Sequence, residues 1–116
     1  MDAPFIVFLS NDVSVAPQLS PDQIAAVAAA GFKSVINHRP DGEGGSMQPL
    51  GAAIEQAARD AGLTYVAQPV DAALMTLDDA QEFERLVDGL PKPVLAFCRT
   101  GTRSTRLFMA SELARE

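Results

Sequence analysis

Short apolar runs alternate with amphipathic stretches along the chain. Phe5 to Leu9 is apolar and β-prone and predicts a strand, and Val13 to Pro17 predicts a shorter one at a sheet edge. Ser20-Pro21-Asp22-Gln23 then opens a helix. Ser20 caps it, Pro21 suits the first helical position, and Gln23 completes a capping box. Ile24, Val27 and Ala28 supply its apolar face, and Gly31 ends it. Lys33 to Asn37 predicts a strand, His38 to Pro49 a loop rich in Gly, Pro and polar residues, and Leu50 to Ala61 a helix stopped by Gly62. Thr64 to Ala67 predicts the next strand, followed by a loop over Asp71 to Thr76. A third helix runs from the Thr76 cap to Asp88. Its acidic residues, Asp78, Asp79, Glu82, Glu84 and Asp88, read as a solvated face. Pro91 and Pro93 turn the chain into the apolar Val94 to Phe97 strand, and Thr105 to Leu113 predicts the last helix.

Strands alternating with helices argue for an α/β domain of three layers, with a mainly parallel central sheet and helices on both faces. Ligands in such folds bind at the carboxyl ends of the strands. Three loops are expected there: His38 to Glu43, Pro69 to Asp71, and Cys98 to Arg103. Gly42, Gly44 and Gly45 make the first adaptable, but they form no dinucleotide-binding fingerprint.

Composition narrows the function. The 116 residues, 47% hydrophobic, suffice for one domain spanning 1–116 with its own core. The net charge of -6 argues against a nucleic-acid partner. No basic region precedes a long apolar stretch at the N-terminus, and no apolar run approaches the roughly 20 residues that span a bilayer. With a lone cysteine, which excludes an internal disulfide, this predicts a cytoplasmic protein without a membrane partner. No metal ligands cluster around His38, the only histidine, and neither a metal nor another cofactor is expected.

The chemistry lies in Cys98-Arg99-Thr100-Gly101-Thr102-Arg103 and the following Ser104. A cysteine between a strand end and a helix start meets outward-pointing backbone N–H groups and the positive end of the helix, surroundings in which the sulfur serves as a nucleophile. Gly101 lets the backbone curl tightly around an anion, and successive amides of Arg99 to Arg103 can form a nest. Arg103 supplies a planar, two-pronged donor set, and Ser104 a hydroxyl for the sulfur. Arg99, Arg103 and Arg106 stand without an acidic residue among them, so a local positive cluster opposes the global charge.

This loop resembles the reactive loop of rhodanese-type sulfurtransferases, which often reads Cys-Arg-x-Gly-x-Arg-Ser. It also resembles the Cys-x5-Arg loop of protein tyrosine and dual-specificity phosphatases, but is one residue shorter. Val15 to Ser20, Ser34 to Asn37 and Arg39-Pro40-Asp41-Gly42-Glu43 resemble a bacterial family of phosphatase-like domains, known as beta-lactamase-hydrolase-like or sulfurtransferase domains. The resemblance implies a protein-tyrosine-phosphatase-like fold of the dual-specificity type with a rhodanese-like loop.

Loop length favours sulfur transfer, because a narrower cradle suits a terminal persulfide sulfur better than a phosphoryl group. Phe97 points the same way, standing where the phosphatases typically carry a histidine. In this reading Cys98 takes sulfur from a small anionic donor such as thiosulfate, and Arg103 with the loop amides stabilises the persulfide. The resemblance also implies a metallo-β-lactamase-fold sulfur dioxygenase as partner. The alternative is a phosphatase: Cys98 forms a phosphocysteine, Arg103 clamps the transition state, and Asp71 protonates the leaving group of a phosphoester. A non-catalytic anion- or persulfide-binding module is a third reading. His38 reads as a solvated loop residue, while an Arg39–Asp41 ion pair is expected to brace the loop beside the site.

Overall fold

The computed structural model describes residues 3–115. Five strands form one sheet in the order β1-β2-β5-β3-β4, with β1 spanning Val7–Phe8, β2 Val13–Ala16, β3 Ser34–Asn37, β4 Thr64–Ala67 and β5 Val94–Phe97. Only β1 is antiparallel. The helices are α1, Ile24–Ala29; α2, Gly51–Asp60; α3, Leu77–Gly89; and α4, Thr102–Ala114.

The period-2 alternation of β5 divides the core in two. Leu95 and Phe97 join Ile24 and Val27 of α1 and Ile54 and Ala58 of α2 on one face. Val94 and Ala96 join Ala80, Phe83 and Val87 of α3 and Leu107 of α4 on the other. This is the expected three-layer α/β architecture, and β5 is its central strand. Phe97 registers with Ala16 on one side and Asn37 on the other, so the chain leaves β5 between the loops that follow β2 and β3.

Three expectations need correction. The Val13 strand is not at the edge: β2 pairs with both β1 and β5, and all four of its residues are buried. The Phe5 to Leu9 strand contracts to the two exposed residues of β1, which cover that edge. The last helix begins at Thr102 rather than Thr105, so Arg103 and Ser104 stand on its first turn. The other helix starts follow their signals. Ser20 N–H donates to Gln23 Oε1 (3.0 Å) before a 3-10 turn, Pro21–Gln23, that leads into α1. Thr76 and Asp79 cap α3 reciprocally, with Asp79 N–H on Thr76 Oγ1 (3.3 Å) and Thr76 N–H on Asp79 Oδ2 (2.9 Å). Among the described residues no helix is long and apolar enough to cross a membrane.

Candidate active site

Cys98 follows the last residue of β5 and is 1% exposed. Its N–H donates to Ala16 O (3.4 Å), and Gln18 N–H donates to Arg99 O (3.2 Å), which pins the loop to the end of β2. At Gly101 the backbone turns left-handed, with φ of 92°, a conformation that glycine adopts without penalty. That turn aims Gly101 N–H at Cys98 Sγ, 3.0 Å away, where it stabilises charge on sulfur. It also starts α4, and Gly101 O accepts from both Thr105 N (3.0 Å) and Thr105 Oγ1 (2.8 Å). Thr102 N–H is occupied by Thr100 Oγ1 at 3.4 Å, so two of the amides expected to cradle an anion serve the loop itself.

Arg103 is 8% exposed. Its Nη1 donates to Val70 O (3.0 Å) and His38 O (3.3 Å), and its Nη2 donates to Glu43 Oε1 (3.0 Å). A guanidinium has five N–H donors. The two left over are the Nε–H, which is buried without a partner, and one Nη2–H. Nε and Nη2 share one edge of the planar group, and this edge is a two-pronged donor for an oxyanion.

His38 is fully buried, against the expectation of a solvated loop residue. Its ring packs on Phe83 (centroids 5.3 Å apart), with Nδ1 2.7 Å from Ser104 Oγ and Nε2 3.0 Å from Gln68 Oε1. Gln68 Nε2 donates to Asp79 O (2.9 Å), which leaves Gln68 Oε1 to accept from His38 Nε2–H. His38 Nδ1 is therefore the acceptor, and the Ser104 hydroxyl donates to it rather than to sulfur. Burial lowers the imidazole to about 4, the Gln68 hydrogen bond opposes this, the Arg103 charge adds to it, and Asp79 opposes it.

The expected Arg39–Asp41 ion pair is absent. Arg39 pairs with Glu43 (Nε to Oε1, 3.0 Å), one helical turn away in sequence, and Asp41 Oδ1 accepts from Gly51 N–H (2.7 Å) at the start of α2. Glu43 thus bridges Arg39 and Arg103, and the Arg103 hydrogen bond holds its carboxyl below the usual range. Gln48 closes this loop on itself, accepting from Gly44 N–H (2.7 Å) and donating to Pro40 O (2.9 Å).

Two cavities adjoin through Ala72, Arg99 and Arg103. The smaller, about 190 Å³, is lined by Cys98, Arg99, Thr100, Thr102, Arg103 and Arg106, with Met75 and Ala72 opposite. The larger, about 600 Å³, is bordered by Arg39, Glu43 and Asp71. Asp71 is exposed, and one of its carboxylate oxygens accepts from Ala73 N–H at 2.8 Å. Cys98, Arg99, Thr100, Thr102, Arg103 and Asp71 thus meet along one continuous cleft. Ser104 and His38 lie behind it as buried supports. Among the described residues no group of three or more His, Cys, Asp and Glu is placed to hold a metal ion.

The phosphatase-like domain of beta-lactamase hydrolase-like proteins matches this chain over residues 5–114. A beta-lactamase hydrolase-like protein of Xylella fastidiosa (strain Temecula1) is 37% identical over 108 residues, covering 93% of this chain and 25% of its own length. The chain therefore spans about a quarter of the curated relatives it matches. Among solved structures, a candidate phosphatase from Neisseria meningitidis Z2491 superposes with a TM-score of 0.84 at 38% identity, over 89% of this chain and 72% of that one. The core catalytic domain of a PP-IP phosphatase from S. cerevisiae shares the fold, with a TM-score of 0.72 at 11% identity, over 91% of this chain and 64% of that one. The architecture is that of the cysteine-based tyrosine and dual-specificity phosphatases. By its sequence over nearly its whole length, this chain belongs to the phosphatase-like domain family of the beta-lactamase hydrolase-like proteins.

Proposed function

We propose that this domain is a cysteine-dependent phosphoester hydrolase. The observation that carries the reading is the free edge of Arg103. Arg103, whose buried Nε–H has no partner, lines a cavity of about 190 Å³ together with Cys98, and this combination suits an oxyanion. Cys98 thiolate attacks phosphorus and the bond to the leaving oxygen breaks. Asp71 gives that oxygen its proton, and a phosphocysteine remains. Water then cleaves the sulfur–phosphorus bond, with the Asp71 carboxylate taking its proton. Arg103 holds two phosphoryl oxygens throughout, and Glu43 and the two carbonyls keep its plane fixed.

One observation favours a second reading. Cys98 and Arg103 have four residues between them, and Cys98 is almost fully buried, which suits attack on a terminal sulfur. There Cys98 displaces sulfite from thiosulfate and keeps the outer sulfur as a persulfide, and a metallo-β-lactamase-fold sulfur dioxygenase is the partner.

The two are separated by presenting wild type and Cys98→Ser with p-nitrophenyl phosphate, and by weighing both intact after thiosulfate or a persulfide donor. Phosphate release by wild type alone supports the hydrolase. A gain of about 32 Da on wild type alone, without phosphate release, overturns it in favour of sulfur transfer.

A further inference from the structure

The chain has seven arginines, and five of them pair with carboxylates among the described residues. Arg39 and Arg103 share Glu43, Arg59 takes Glu55, Arg85 takes Glu82, and Arg115 takes Glu84, Asp88 and Glu112. Arg99 and Arg106 stand apart. Both are exposed, and neither makes an ion pair or a side-chain hydrogen bond among the described residues. In a chain with 15 acidic and 9 basic residues, unpaired arginines are the exception. Both of these line the Cys98 cavity.

They reach it from different elements, Arg99 from the loop and Arg106 from α4, three residues beyond Arg103. Arg103 already has an assignment: its free edge takes the group under attack. The local charge balance leaves an excess. Glu43 is shared by Arg39 and Arg103, and among the described residues Asp71 is the one other acid bordering the cleft. Two exposed guanidinium groups lining the cavity therefore exceed what one phosphoryl group needs.

We infer that the substrate carries a second anionic group beside the phosphoryl group that Cys98 attacks. It is a phosphoanhydride or a multiply phosphorylated ester, not a lone aryl phosphate. The inference rests on the hydrolase reading for the reacting group, while the two-anion site is tested without turnover.

The test is calorimetric binding of orthophosphate and pyrophosphate to Cys98→Ser, and to the same protein carrying Arg99→Gln and Arg106→Gln. Pyrophosphate is expected to bind about fivefold or more tightly than orthophosphate, the scale of two exposed charge contacts. That preference should shrink with added salt and fall to near parity in the arginine variant. Both positions are exposed, and a thermal melt verifies that the variant is folded. Parity in Cys98→Ser, or a preference that survives loss of both arginines, overturns the inference. Aryl phosphate hydrolysis by wild type judges the parent reading separately. A pyrophosphate preference with no hydrolysis of any phosphate sinks that reading and leaves the two-anion site standing.

Discussion

Ser104 Oγ donates to His38 Nδ1 across 2.7 Å, a bond between the first turn of α4 and the end of β3 inside the core. Sixty-six positions separate the two residues in sequence. With Phe97 before the nucleophile, the histidine that braces the helix after the loop is the residue that follows the neighbouring strand. Gln68 fixes its tautomer, so the bond has one direction, and the helix that carries Arg103 is tied to the sheet.

The first prediction concerns pH. The folded imidazole protonates near 4 and the unfolded one near 6.5, so the unfolded chain binds more protons between those values. Stability present above pH 6.5 is lost as the pH falls through this window, by about 3 kcal/mol in full. Urea midpoints between pH 7 and 4 should drop steeply in wild type and less in His38→Gln. Equal slopes in the two proteins would refute the assignment.

Glu43→Gln removes the charge that orients Arg103. Phosphoester kcat/KM should fall about tenfold. Because the Glu43 carboxyl is held below its ordinary value, its stabilisation is present above about 4.5 and lost as the pH falls below that. The variant should therefore lose less stability on acidification than wild type. Unchanged turnover would show that the two remaining Arg103 hydrogen bonds, to the carbonyls of His38 and Val70, suffice.

Asp71→Asn should lower turnover of an aryl or alkyl phosphate by about a hundredfold, because the leaving oxygen then departs unprotonated. The same variant should accept sulfur from a persulfide donor at the wild-type rate. A large loss in the mass-shift assay would remove Asp71 from the role of proton donor.

Gly101→Ala forces a left-handed conformation on alanine, at a cost of about 1 kcal/mol. The added Cβ meets Ala16 at 3.6 Å, an ordinary contact, so the cost is conformational. Gly62→Ala, with φ of 80° and open space around it, is the control. Both should lower the melting temperature by similar amounts. Only Gly101→Ala should lose activity, because only there does the backbone aim an N–H at sulfur.

Where burial and local signals agree, the chain is legible from its residues. The bounds of β4 and β5 follow from apolar runs set between Gly62, Pro69 and Pro93, and the Thr76 cap places the start of α3. The start of α4 was hidden because its first inward residues, Arg103 and Ser104, are polar and break the apolar spacing of a helix. His38 reads as solvated because its partners, Gln68 and Ser104, are distant in sequence and Gln68 carries no motif of its own. Arg39 has two nearby acids, and spacing alone does not reveal that Asp41 is taken by Gly51 while Glu43 turns inward. A one-residue difference in loop length favours sulfur transfer, whereas the similarity over residues 5–114 is to a phosphatase-like domain.

The early start of α4 has a further consequence. Arg103 and Leu107 lie one turn apart on the same face of one helix, the first reaching the cleft and the second filling the core beside Phe83. The reactive groups thus have no hinge of their own. The packing of α3 against α4 therefore sets the position of the arginine as well as the stability of the core, so a core substitution such as Leu107→Ala is expected to cost activity along with stability.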